Sequence, residues 1–195
     1  MKNCRHFSPL LLSVLAFALA PTLAQADPGH PDGFGAGLAH PVVGWDHLLA
    51  MIAVGIWAGQ MKGRARWVLP AAFVGLMTLG SALGMAGMSL PFGEAAIVSS
   101  VVLFGLLVAT AARCGTLVGA MLVGGFAIFH GLAHGAEIPV SASGFAYAAG
   151  LSLATAGLHG AGVALALSLQ KPVSIPWVRV AGGTIALAGV FLALQ

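Results

Sequence analysis

Six apolar segments of near-spanning length, joined by short links, constrain this chain more than any other feature. They fall at residues 41–60, 67–88, 94–112, 115–134, 144–168 and 177–194, and each approaches the ~20 residues a helix needs to cross a hydrocarbon core. In lipid a spanning segment must satisfy its own backbone hydrogen bonds, so such segments read as helices. Composition agrees: 59% of the 195 residues are hydrophobic and 7% charged, where a soluble domain carries about a quarter charged residues. The expected fold class is therefore an all-α integral membrane protein, a bundle of six transmembrane helices behind a cleaved N-terminal signal peptide. Glycine pairs at 55/59, 80/84, 115/119 and 131/135 repeat at the spacing that lets helix backbones approach closely. They read as internal bundle packing.

Residues 1–26 carry the marks of that signal peptide: a basic start (Lys2, Arg5), an apolar run from Leu10 to Ala20, and Ala24-Gln25-Ala26 before Asp27. The run is short for a span, and the small-residue triplet suits cleavage. The expected division is thus 1–26 signal peptide and 27–195 six-helix domain, the mature chain opening with a turn-rich segment that carries His30 near its tip. Cleavage takes Cys4 away and leaves Cys114 alone, which excludes an intramolecular disulfide in the mature chain.

Charge sets the orientation. Lys62, Arg64, Arg66, Arg113, Lys171 and Arg179 fall in or beside the links at 61–66, 113–114 and 169–176, whereas Asp27, Asp32, Glu94 and Glu137 fall toward the other side. Basic links face the cytoplasm, which puts the mature N-terminus in the periplasm and the protein in the inner membrane. A formal charge of +3 with scattered basic residues excludes a nucleic-acid surface. No GxxxxGK[ST] loop is present, so this chain does not use ATP by itself.

Two clusters carry chemistry. The first is His40, Asp46 and His47 at the mouth of the first apolar run, where seven positions return a straight helix to within about 20° of one face, roughly 10 Å deeper. In that reading His40 sits at the N-cap before Pro41, Met51 continues the line one turn further, and Asp46 either contacts the site from the flank or orients a histidine. The second cluster is His130, His134 and Glu137, which share a face if the fourth helix persists through Gly135. Both lie toward the outer side, so two helices can converge on one ion. A lone membrane histidine usually bonds a neighbouring helix, but four with two acids at one depth exceed that need, since ionisable groups inside a membrane are costly. Imidazoles and carboxylates without thiolate suit Ni, Zn, Co or Cu(II). Deeper, His159 with Thr155 and Ser152 forms a polar stripe that either passes an ion along or bonds a neighbouring helix. Met77, Ser81 and Met85 read as core filler, with a soft-ligand path as the alternative, and Glu94 as an interface residue or a charge at a helix N-terminus.

The segments HPVVGWDHLLAM at 40–51 and FHGLAHGAE at 129–137 resemble the HxxxxxDH and FHGxAHGxE signatures of the HupE/UreJ family of hydrogenase and urease accessory proteins. The resemblance implies a nickel permease that supplies nickel enzymes, with His40, Asp46, His47, His130, His134 and Glu137 at the positions of its functional motifs. It implies Ni²⁺ or Co²⁺ as the transported ion, no permanently bound cofactor, and the bilayer and nickel-enzyme maturation proteins as partners. The expected activity is facilitated passage from periplasm to cytoplasm, not enzymatic turnover: His30 meets the ion, the outer histidines strip part of its water, and His159 receives it. Because neutral imidazole is the ligand, transport should weaken below about pH 6.5. Two alternatives remain at this stage. One is an intramembrane metal-dependent hydrolase with Glu137 or Asp46 as general base, and the other a metal sensor or assembly partner that does not transport.

Overall fold

A computed structural model describes residues 33–138, 142–169 and 175–195. The expected signal peptide, His30 and Lys171 lie outside the described residues. Within them the chain is helical: α1 (Phe34–Val43), α2 (Trp45–Met61), α3 (Ala65–Met85), α4 (Gly93–Thr110), α5 (Thr116–Glu137), α6 (Ala142–Ser168) and α7 (Ile175–Ala193). The last five are long and apolar enough to cross a membrane, and α1 with α2 makes a sixth such unit if the pair, bent by 84°, is counted as one. Large apolar side chains such as Trp67, Leu117, Phe145 and Leu187 point outward, as they do when lipid is the solvent.

The bend is where the expected first span differs from the observed one. Instead of starting at Pro41 with His40 as its cap, the helix starts at Phe34 and carries both residues inside it. Proline donates no hydrogen bond and its ring crowds the carbonyl four residues back. The chain leaves the helix soon after, at Gly44, whose φ of −81° and ψ of 111° are extended. Leu48 N–H then bonds the Gly44 carbonyl and α2 begins.

Helices pair closely, α3 along α5, α4 along α7, and α2 and α1 along α6. At the first of these interfaces Gly80 and Gly84 face Gly131 and Gly135. A Cβ on Gly80 would stand 2.7 Å from the Ile128 carbonyl oxygen, and one on Gly131 would overlap the Met77 carbonyl. This is the close approach that glycine spacing permits. The pair at 115/119 does not share it, since Gly115 has open space around it.

The core between these pairs is filled by Trp57, Phe73, Phe104, Met51 and Leu69. Three side chains from other helices satisfy carbonyls at the end of α4: Gln60 Nε2 donates to Val108 (3.2 Å), Arg179 Nε to Ala109 (2.7 Å) and Trp57 Nε1 to Ala112 (2.9 Å). Helix C-termini otherwise leave such groups orphaned. A cleft at this end is lined by Gln60, Lys62, Arg113 and Leu169, so basic residues from successive links gather together. The histidine clusters lie toward the opposite end.

Candidate metal centre

The site is built from three helices. The ten-residue α1 docks on α6 with no side chain between backbones: a Cβ on Gly37 would meet the Tyr147 carbonyl, and one on Gly150 the Phe34 carbonyl. That contact fixes α1, and with it His40, whose ring lies 5.7 Å from Tyr147. The break at Gly44 then turns the chain so that His47, in the first turns of α2, comes back toward His40, with ring centroids 5.9 Å apart. His134 of α5 completes the group, 4.6 Å from His40 and 4.4 Å from His47 between centroids.

One ring nitrogen from each of His40, His47 and His134 lies within 4.8 Å of the others. Three nitrogens bound tetrahedrally at 2.0–2.1 Å stand about 3.3 Å apart, so small side-chain rotations close this set on an ion. His130 is not in the group; it stands behind it, its ring 5.1 Å from His47.

Hydrogen-bond logic fixes where the lone pairs lie. Asp46 Oδ1 is 2.6 Å from His47 Nδ1 and also accepts the His47 backbone N–H at 2.8 Å. A carboxylate only accepts, so the proton is on Nδ1 and the lone pair on Nε2. Asp46 thus positions His47 as outer carboxylates position metal-binding histidines. Ser100 Oγ donates to the Ile97 carbonyl (2.6 Å), so its oxygen accepts from His130 Nε2 (3.1 Å) and leaves the lone pair on Nδ1. His159 Nδ1 donates to the Met51 carbonyl (2.7 Å), which leaves its lone pair on Nε2. These three nitrogens, and His134 Nε2, are buried without a hydrogen-bond partner. Buried polar atoms are rarely left so, and unpartnered imidazole nitrogens are ligands that a borderline cation can use.

The remaining expected positions divide. The helix does run through Gly135 to Glu137, as the shared face requires, but the Glu137 side chain is outside what the structure describes. Met51 is buried and serves His159 through its backbone carbonyl. Ser152 Oγ lies 2.9 Å from Thr78 Oγ1 and Thr155 donates weakly to Met77 Sδ at 3.7 Å. The hydroxyls at 152 and 155 thus both reach α3.

Three contacting residues were not singled out by sequence: Ser100, Tyr147 and Phe73. Ser100 had a weak signal as a hydroxyl within an apolar run. Phe73, packed against the rings of His130 and His159, had none.

The family described as HupE / UreJ protein matches residues 15–192. Protein HupE of Rhizobium leguminosarum bv. viciae is 44% identical over 187 residues, which cover 95% of this chain and 97% of that protein. No solved structure matches. Agreement of that extent, running through both histidine motifs, shows that the chain belongs to the HupE/UreJ family.

Proposed function

We propose that the protein is an inner-membrane permease for Ni²⁺ or Co²⁺, carrying the ion from periplasm to cytoplasm for the maturation of hydrogenase or urease. The observations that carry this reading are the close grouping of one ring nitrogen each from His40, His47 and His134 and the buried, partnerless imidazole nitrogens of His47, His134, His130 and His159. A resident metal is best held by one closed cage, whereas passage calls for several shallow sites, each strong enough to take the ion and weak enough to release it. Staggered single imidazoles behind a three-nitrogen cluster suit the second requirement.

In this reading the bent pair α1–α2 counts as the first of six crossings of one domain spanning 27–195, and residues 1–26 are removed. The basic links face the cytoplasm and the histidine cluster faces the periplasm, where His30 extends the approach. His40, His47 and His134 bind first, with Asp46 holding His47. His130 takes the ion next, Glu137 balances charge, and His159 receives it. Ser152 and Thr155 stay with the helix packing, and Met51 supports His159. The ion is cargo, no permanent cofactor is needed, and the chemistry requires no bond-breaking. The ion leaves toward nickel-enzyme maturation proteins.

The test is flux into sealed vesicles that contain the purified protein and an internal metal-sensitive dye. Nickel influx through the wild type and its loss in His134→Ala support the proposal. Stoichiometric nickel binding without influx would reject it in favour of a sensing or assembly role.

A further inference from the structure

One aromatic ring touches both of the histidines behind the outer cluster. Phe73 of α3 lies 5.4 Å from the His130 ring and 4.9 Å from the His159 ring, centroid to centroid. All three side chains are fully buried. Each of these two histidines carries a nitrogen without a partner, His130 Nδ1 and His159 Nε2, and the tautomer each histidine is held in puts the lone pair on that nitrogen. The ring itself offers an ion nothing to replace lost water, and hydrophobic constrictions of this kind gate conduction by excluding it.

We infer that Phe73 is the gate of the permeation path, its ring swinging aside when an ion passes from His130 to His159; this rests on the transport reading above. The surroundings suit such a movement. Met77 follows Phe73 by one helical turn on the same face and is likewise fully buried. Its unbranched thioether side chain adapts readily to a moving neighbour, and the bond it accepts from Thr155 is weak, at 3.7 Å. By contrast His130 and His159 are each tethered by a hydrogen bond, to Ser100 and to the Met51 carbonyl. The two stations are therefore held by hydrogen bonds, whereas the Phe73 ring that touches both is held by packing alone.

The experiment measures, for wild type, Phe73→Ala, Phe73→Leu and Phe73→Trp, both nickel influx into sealed vesicles and equilibrium nickel binding to the detergent-purified protein. Removal of a dewetted constriction should raise the initial rate by roughly threefold or more in Phe73→Ala, and a larger ring should lower it by a similar factor in Phe73→Trp. Binding at the outer cluster should not change in either. Phe73→Leu, which trims the ring but keeps an apolar side chain, carries the same expectation in smaller degree and serves if Phe73→Ala does not fold. Wild-type rates in all variants, or rates that change in step with affinity, would overturn the gate while leaving transport intact. Absence of influx through the wild type would overturn transport and gate together.

Discussion

Asp46 and His47 are sequence neighbours whose side chains bond each other at 2.6 Å, and this short contact decides which nitrogen of His47 meets an ion. Exchanging Asp46 for Asn keeps the shape but replaces a charged acceptor by a neutral one. Loss of such an outer partner typically lowers metal affinity by roughly 10–100-fold. That fall, with protein yield unchanged, is the expected result of equilibrium nickel binding to Asp46→Asn. The sequence pointed to His40, Asp46 and His47 and left Asp46 either flanking the site or orienting a histidine; the contact at 2.6 Å pairs it with His47. On a straight helix Asp46 and His47 would diverge by about 100°, yet adjacent residues at a helix start can still bond through flexible side chains. Ser100 was less legible, because its bond to His130 joins residues 30 positions apart and depends on how α4 and α5 pack.

The break between α1 and α2 brings His40 and His47 together, and at the scale of helices this is where the sequence misled. Seven-residue spacing is a valid argument for a continuous helix, and Pro41 at its start is a common arrangement. Pro and Gly are also tolerated within membrane helices, so neither announced an 84° bend. Gly44 matters there through space and not through its backbone angles. A Cβ at Gly44 would stand 3.0 Å from Asp46 Oδ1 and 3.3 Å from His47 Nδ1, tight enough to displace the pair. Gly44→Ala is therefore expected to lower nickel affinity about tenfold, at the mild end of outer-partner losses. Gly35→Ala, where nothing lies within 4 Å, should leave it unchanged in the same binding assay. Equal affinities in the two variants would show that the Asp46–His47 pair accommodates a Cβ at this position.

For the whole molecule, most of the architecture was legible because lipid leaves few options: apolar runs become helices, and basic links gather at one end. The register between helices was not legible, since nothing in a single apolar run says which neighbour it meets. Thus the sequence left open whether Ser152 and Thr155 bond a neighbouring helix or line a path, and Phe73 went unnoticed. The transport reading has a consequence for pH. Protonation removes the lone pair with which an imidazole binds an ion, so protons compete with metal and influx into vesicles should fall as the external solution is acidified. A rate that rose on acidification would point instead to proton-driven exchange.

Radioactive nickel uptake at submicromolar concentration, in cells lacking their other nickel importers, bears most directly on transport through the histidine cluster. Wild type is compared with His47→Ala and His130→Ala at matched membrane levels, with cobalt as competitor to grade selectivity. The expected result is uptake well above an empty vector, lost in both variants. Uptake by His47→Ala equal to wild type would contradict passage through the cluster, and wild-type uptake no better than the vector would contradict transport itself.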